Sequence, residues 1–338
     1  MVEMVRSSGI RGFQDLVRRL GGDPRALLRR HRISAQSLAD EESLIPLRPV
    51  AEMLEDAAAV LGCPEFGLRL GGFFDPSILG PVGVALQHSS TVEDALQLAI
   101  QYLFVQTPAL GLRLIPQTRP PRGLTELRLE FFTRGWSFLP QTVELCLAGW
   151  DAIVRVLAGD SYHLDAVCFP HEPAAPLSVY RQHFGAKIHT GQPHAALVLS
   201  TATIKAPLRE VSRTLHVIAA DYLRTHYPLS RKPVASRVRT AIDQAMGAAA
   251  TDKTAIAGAL AMHPRTLQRH LASEDTCFEK ILDEARRDNA ERYLKSTQVP
   301  LKHVAGLLGL AHQSALTRSC QRWFGATPTA LRRASTAI

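Results

Sequence analysis

The chain has 338 residues, 46% of them hydrophobic and 21% charged, with a formal net charge of +8. That is long enough for two or three domains with separate cores, in the composition range of ordinary globular proteins. From Arg231 onward 17 Lys/Arg stand against 9 Asp/Glu, whereas the first 230 residues hold 22 of each, so the whole positive excess lies in the last third. A neutral region joined to a basic one ranks nucleic acid first among partners, although a basic domain alone is equally compatible with a solvated face.

The opening MVEMVRSSGIRGFQ has no apolar h-region, and no window approaches the roughly 18 uninterrupted apolar residues of a membrane span. Neither a secretory signal nor a membrane partner is expected. The cysteines (Cys63, Cys146, Cys168, Cys277 and Cys320) are odd in number and scattered, with no C-x-x-C. This pattern fits reduced thiols in the cytoplasm rather than a disulfide framework.

Helical spacing of apolar residues is expected first over 13–20, 24–31 and 47–61, then over 91–104, 140–157 and 178–184. Strand alternation is clearest over 126–131, where Leu127, Leu129 and Phe131 share a face. The segment 110–115 precedes it, and the PQTRPPRG loop between them suits a hairpin. Short strands are also expected at 166–169 and 196–200. After Pro207, Leu208, Val211, Leu215, Ile218 and Tyr222 recur at helical spacing, with the proline as a first helical residue. YPLSRKPVAS then interrupts the pattern and marks a domain boundary. Beyond it Val234, Val238, Ala241, Ile242 and Ala245 form another amphipathic stripe, stopped by Gly247.

An internal repeat follows. Ile256, Ala257, Leu260 and Met262 correspond to Val304, Ala305, Leu308 and Leu310 at an offset of 48 residues. Each set predicts a short helix with an alanine where a second helix crosses closely. A tight turn comes next, at Ala261 or Gly309, and then a second helix over 264–273 or 313–324. A longer helix joins the copies; Thr276 and Glu279 suit a capping box at its start, Phe278, Ile281, Leu282, Ala285 and Tyr293 mark its buried face, and Pro300 ends it. One copy alone could be a structural hairpin. Two copies in a basic domain predict tandem helix-turn-helix units.

The second helix of each unit carries groups that suit base edges. Arg265, Gln268 and Arg269 share a face of the first, and Gln313, Thr317 and Arg318 a face of the second. Arg pairs bidentately with guanine and Gln with adenine in the major groove. Lys253, Lys302, Arg322, Arg332 and Arg333 suit phosphate anchoring, with Thr266 and His312 at or near the backbone contacts.

IAGALAMHPRTLQRHLASE and VAGLLGLAHQSALTRSCQRWFGATPTALRR resemble the AraC/XylS family of transcription regulators, RWFGATPTALRR being similar to that family's terminal signature. The resemblance covers about the last 85 residues. It implies a monomeric module whose two reading helices enter successive major grooves, with Arg265, Gln268, Arg269, Gln313 and Arg318 at or near the bases. Cys320 and Leu310 replace aromatics common there, which affects packing, and His312 replaces a small polar residue, which alters a DNA contact. IPLR (45–48), FGLRLG (66–71), ILGPVG (78–83), Tyr180 and Phe184–Gly185 are similar to the N-terminal domain of the VirS and ornithine-utilization branch. That domain's arabinose-binding name does not imply a sugar here.

The fold class expected is mainly α with a minor β component. An N-terminal α+β sensor domain, with helices and a small antiparallel sheet rather than a cupin barrel, precedes an all-α tandem helix-turn-helix domain. The boundaries expected are 10–227 for sensing and dimerisation, 228–233 for the linker and 234–334 for DNA binding. Within the last, the units are 252–273 and 301–324, with the connecting helix at 277–296. The function expected is a sequence-specific, effector-responsive activator, not an enzyme. Its partners are double-stranded promoter DNA, RNA polymerase, a small organic or lipid-like effector and a second copy of the chain through the N-terminal domain. No cofactor is expected.

Tyr102, Arg113, Trp136 and Trp150 are the candidate effector-pocket residues, though aromatics at such spacings also serve as plain core. His163, His171, His183, His189 and His194 lie near Cys168, but none has the paired spacing of a zinc site, and no metal is expected. Cys320 is read as a buried apolar residue before a redox switch. No G-x-S-x-G, P-loop, H-E-x-x-H or dinucleotide fingerprint occurs. The alternatives are a DNA-repair enzyme with an AraC-like module, which lacks its reactive cysteine cluster here, and a constitutive architectural DNA binder.

Overall fold

The apolar spacing of the sequence becomes a largely helical fold in the computed structural model, which describes residues 3–117, 123–131, 139–192, 194–209, 211–229, 232–247, 250–296 and 299–334. The chain divides into two units, one of Val2–Pro116 with Gly123–Arg231, the other holding Lys232–Ile338.

The first unit opens with β1 (Met4–Arg6), α1 (Phe13–Arg19), α2 (Pro24–Arg30), β2 (Leu44–Pro46), α3 (Leu47–Val60) and α4 (Phe66–Gly71). Asp23 caps α2 by accepting from the Arg25 N–H at 2.8 Å, with Pro24 as the first helical residue. β1 and β2 pair antiparallel. Phe13, Val17, Leu28, Met53, Leu54, Phe66 and Leu70 form one core among these helices.

The unit continues with α5 (Pro81–Gln87), α6 (Val92–Tyr102), β3 (Leu110–Pro116), β4 (Leu124–Phe131) and α7 (Pro140–Ala158). It ends with β5 (Leu164–Cys168), α8 (Leu177–Phe184), β6 (Lys187–His189), β7 (Ala195–Ser200), α9 (Thr201–Lys205) and α10 (Arg213–His226). The sheet runs β3-β4-β7-β5-β6 and is open, with β3 and β6 at its edges. Leu127 and Leu129 of β4 are buried as their alternation requires and join Leu96, Leu147, Val154 and Leu197 in a second core.

Several expectations need correction. The sheet is mixed, because β6 runs parallel to β5. The physical reason is the α8 crossover between them, a connection that brings the chain back in the same direction. The last helix of this unit starts at Arg213, where Ser212 accepts from the Leu215 N–H at 3.3 Å, and not after Pro207, which bridges to Thr91. Its buried residues are Ala219 and Leu223, so Leu215, Ile218 and Tyr222 of the expected stripe face outward.

Helices α4 and α5, not among the expected elements, depend on close approach. A Cβ on Gly67 would overlap the carbonyl oxygen of Gln141 in α7, and one on Gly71 would overlap Ala148. The gap is used fully: the Gly67 N–H donates to Gln141 Oε1 at 2.7 Å, and Gln141 Nε2 donates to the Pro64 carbonyl at 2.7 Å. Helix α7 therefore lies against α4 at backbone distance, with Leu145 in the first core and Val143, Leu147 and Val154 in the second.

The second unit consists of α11 (Val234–Ala245), α12 (Lys253–Ala259), α13 (Pro264–Ser273), α14 (Phe278–Ser296), α15 (Leu301–Leu307), α16 (Gln313–Phe324) and α17 (Pro328–Ala334). Its core gathers Val238, Ile242, Ile256, Leu267, Leu271, Ala285, Leu294, Val304 and Leu316. The Ile281 N–H bonds to the Cys277 carbonyl, so Cys277 is the N-cap and Thr276, expected to open the capping box, lies one position ahead of the cap.

Gly67→Ala is expected to lower the unfolding free energy of the first unit by roughly 1–3 kcal/mol in urea titrations, the usual range for overpacking. Gly258→Ala, at a helical position with nothing within 4 Å of the added carbon, should instead stabilise the second unit by up to about 1 kcal/mol.

Candidate nucleic-acid interface

The two turns of the repeat close in the same way. In the first, Ala261 takes φ 52° and the Met262 N–H returns to the Ala257 carbonyl at 2.9 Å. In the second, Gly309 takes φ 63° and the Leu310 N–H returns to the Ala305 carbonyl at 2.9 Å. Both are left-handed helix stops that satisfy a terminal carbonyl, and Met262 and Leu310 pack against the core just beyond them. Ala257 and Ala305 are buried at the crossings, as the small side chains require.

The second helices of the two units then diverge from the simple repeat by one residue. Leu267 and Leu271 are the buried positions of α13, and Leu316 and Cys320 those of α16, at an offset of 49 rather than 48. Arg269 is thus the counterpart of Arg318, Gln268 of Thr317 and Arg265 of Ser314. In α13, Arg265, Gln268 and Arg269 are exposed and Thr266 is half-buried. In α16, Gln313, Ser314, Arg318 and Gln321 are exposed, while Thr317 is half-buried and donates its hydroxyl to the Gln313 carbonyl at 3.2 Å. Ser314 is an outward-facing position that sequence reasoning passed over; the spacing of Leu316 and Cys320 was the available signal.

The helix entries also differ. His263 Nδ1 accepts from the Arg265 N–H at 3.2 Å, whereas His312 stands at the entry of α16 with no side-chain cap bond. His312 is exposed, Lys302 is exposed near the start of α15, and Lys253 is half-buried at the start of α12. Arg322 pairs with Asp283 and lies 5.6 Å from the Trp323 ring centre. Arg332 donates to the Val299 carbonyl at 2.6 Å, and Arg333 is exposed. Burial pushes the Cys320 thiol up to about 11, so it sits in the core as a neutral group.

Helix α14 ties these parts together. Arg239 of α11 donates to Asp288 at 2.7 Å and to Asp243 at 3.0 Å, with both carboxylates largely buried. Asn289 donates to Asp243 at 3.3 Å and to the Ala285 carbonyl at 2.9 Å. On the side of the second unit of the repeat, Arg286 donates to the carbonyls of Leu308 and Gly309, both at 2.9 Å. Asp283 accepts from Trp323 Nε1 at 3.0 Å. The first unit is held from its other end, where Glu274 accepts from the N–H groups of Val234 and Ala235, each at 2.7 Å.

Residues 256–334 match a helix-turn-helix domain family, and residues 21–208 match the arabinose-binding domain of AraC transcription regulators. The chain belongs to the AraC/XylS family. It is similar to the HTH-type transcriptional regulator VirS of Mycobacterium tuberculosis, 33% identical over 97% of this chain and 96% of the relative. It is also similar to the ornithine utilization regulator of Pseudomonas aeruginosa, 27% identical over 98% of this chain and 97% of that one. Among solved structures, transcriptional regulator CdpR of P. aeruginosa aligns with a TM-score of 0.44 at 21% identity, covering 94% of this chain and 97% of the other. This AraC-family chain is a sequence-specific DNA-binding transcription regulator with tandem helix-turn-helix units. No helix of the described residues is long and apolar enough to cross a membrane.

The N-terminal unit of the regulator holds a cavity of about 100 Å³ at the seam of its two cores. Val50, Leu54 and Leu145 face it from one core, and Leu79, Trp150 and Ile153 from the other. Of the expected pocket residues, Trp150 lines it. Tyr102 is buried in the second core and stacks on Phe104, and Arg113 pairs with Glu130 at 3.1 Å across β3 and β4. Trp136 lies outside the described residues. The histidines have separate partners: His171 meets Glu144 at 3.3 Å, His194 meets Glu126 at 3.4 Å, and His183 packs edge-on against Phe184. Among the described residues no group of three metal-ligating side chains is assembled.

Proposed function

We propose that this chain is an effector-responsive transcription activator that reads two successive major grooves. The sensing and dimerising domain is residues 10–227, the linker 228–233 and the DNA-binding domain 234–334. The observation that carries the reading is the pair of outward faces on α13 and α16, each presenting an arginine one position from a polar side chain, on helices tied to one strut, α16 directly and α13 through α11. Arg265, Gln268, Arg269, Gln313, Thr317 and Arg318 contact base edges, with Ser314 added at the position equivalent to Arg265. Lys253, Thr266, Lys302 and His312 face the backbone. Arg322, engaged by Asp283, reaches phosphate by exchanging that partner or holds Trp323 in place of it. The activator role carries a contact to RNA polymerase, which follows from the family and not from any residue named above.

The N-terminal domain takes a small organic or lipid-like effector in the cavity and pairs with a second copy of the chain through α10. Leu215, Val217, Ile218 and Tyr222 are 44%, 55%, 60% and 40% exposed on this one helix, with Arg213, Asp221 and Arg224 at its rim. Such a rimmed apolar patch suits a self-complementary contact around a twofold axis. A physical route joins it to the cavity. Ile78 and Leu79 in the cavity wall lead directly into α5, and His216 of α10 meets the Ala85 carbonyl of α5 at 3.2 Å. An effector shifts pairing only by its differential affinity for the paired and unpaired states.

Arg269→Ala and Arg318→Ala should each cost about 1–3 kcal/mol of operator binding and relax preference at one base pair, measured by competition titration at fixed salt. Unchanged affinity and preference in both variants would remove α13 and α16 as the reading helices. Ile218→Glu should shift the chain to monomer in sedimentation velocity while leaving each unit folded. A dimer of unchanged stability in that variant would place the pairing surface elsewhere.

A further inference from the structure

The walls of the N-terminal cavity carry more information than its place. Among the described residues that line it none bears a charged side chain; besides the Trp150 indole and the Cys146 thiol, the polar ones are Gln106, Thr107 and Thr142. Two of these three are already engaged. Gln106 and Ser8 bond through their side chains, with Gln106 Nε2 3.0 Å from Ser8 Oγ. Thr107 Oγ1 donates to the Met4 carbonyl at 3.0 Å and accepts from the Ala109 N–H at 3.2 Å. Thr142 differs: its Oγ1 is buried and has no hydrogen-bond partner. A buried hydroxyl left unpaired is costly, and native structures rarely tolerate one without a purpose.

Thr142 sits in the first turn of α7, and Cys146, one turn further along, also faces the cavity. Burial pushes the Cys146 thiol up to about 12, so it contributes a neutral surface. Gly149 continues the same face, and Trp150 and Ile153 close it with apolar area. A carboxylate or ammonium group entering this space would lose hydration and meet no counter-charge among the described residues, a transfer that opposes binding strongly. An apolar body gains from the same walls, and one polar atom on it has one partner waiting.

Resting on the cavity as the effector site, we infer that the effector is a neutral, predominantly apolar molecule carrying a single hydroxyl or carbonyl that hydrogen-bonds to Thr142 Oγ1. Amino acids, organic acids and phosphate esters are excluded as its class. The volume bounds its size: at about 100 Å³ the space is smaller than the dry cavity of about 150 Å³ that accepts benzene, so it suits at most a compact ring, taken up as the walls yield, or a short chain, and not a long acyl tail.

The test uses three probes of one shape on the full chain at pH 7: benzyl alcohol, benzoate and benzylammonium, with toluene as the probe that needs no hydrogen bond. Binding is read by calorimetry, with thermal unfolding and DNA affinity confirming that each variant is folded. Benzyl alcohol should bind at least about tenfold more tightly than either ion. Thr142→Val should weaken benzyl alcohol roughly three- to tenfold while leaving toluene unchanged. Cys146→Leu, which fills the cavity from α7, should abolish both. Equal binding of the three polar probes, all lost in Cys146→Leu, would overturn the inference about charge and leave the cavity as the effector site. Equal loss of benzyl alcohol and toluene in Thr142→Val would overturn the role of the hydroxyl. Binding of no probe, or binding unaltered by Cys146→Leu, would overturn the cavity as the site and this inference with it.

Discussion

One helix, α14, fixes the geometry on which DNA reading depends. A short helix-turn-helix unit buries too little apolar surface to hold its own orientation. Here the N-terminal half of α14 bonds to the second unit through Asp283 and Arg286, and its middle bonds to α11 through Asp288 and Asn289. α11 is in turn capped by Glu274 at the end of α13. The result is a continuous series of polar contacts, α13 to α11 to α14 to α15 and α16, around one apolar core. Buried ion pairs of this kind contribute modest net stability, because desolvation offsets their attraction, but a half-broken pair is costly. Their consequence here is geometric. Both α13 and α16 are held relative to the same strut, so under the proposed reading, in which each enters a major groove, the two operator half-sites must keep one spacing and one phase.

The N-terminal unit uses α7 in a comparable way, with glycine instead of charge. Gly67 and Gly71 let α4 and α7 meet at backbone distance, which places α7 on the boundary between two cores. The cavity is the consequence of that boundary, since neither core fills the space at the seam completely. Sensor and reader are thus each organised around a single long helix. In one it leaves a space, and in the other it removes freedom.

Much of the reader was legible in the sequence because its signals are local. Ala257 and Ala305, Ala261 and Gly309, and the apolar positions around them determine each turn within about ten residues. The one-residue slip in the second unit is hidden by the repeat up to Leu310 and shows only beyond it, where Ala311 adds a residue in the turn and Leu316 and Cys320 fall at an offset of 49. In the sensor, the expected strands and most helices form, but α4 and α5 escaped a reading by periodicity. Their glycines matter through what packs against them, and FGLRLG and PVGVALQ are too short to show a helical stripe. Leu215, Ile218 and Tyr222 illustrate the opposite error. Their spacing declares an amphipathic helix correctly, yet the pattern cannot say which side the rest of the unit covers. Trp150 could be singled out as a pocket residue, whereas Thr142 could not, because an unpaired hydroxyl is a property of the folded neighbourhood.

The most direct test of a single strut holding two reading helices is operator spacing. DNA containing the two half-sites is titrated with the full chain, and five base pairs are then inserted between them. Such an insertion turns one half-site to the opposite face of the duplex. A rigid strut predicts that specific affinity falls by about tenfold or more and does not recover when the insertion is extended to a full turn of ten or eleven base pairs, because phase is restored but the separation is about 34 Å too long. Affinity indifferent to the half-turn insertion would mean that α14 does not couple the two readers, and the account would fail at its centre.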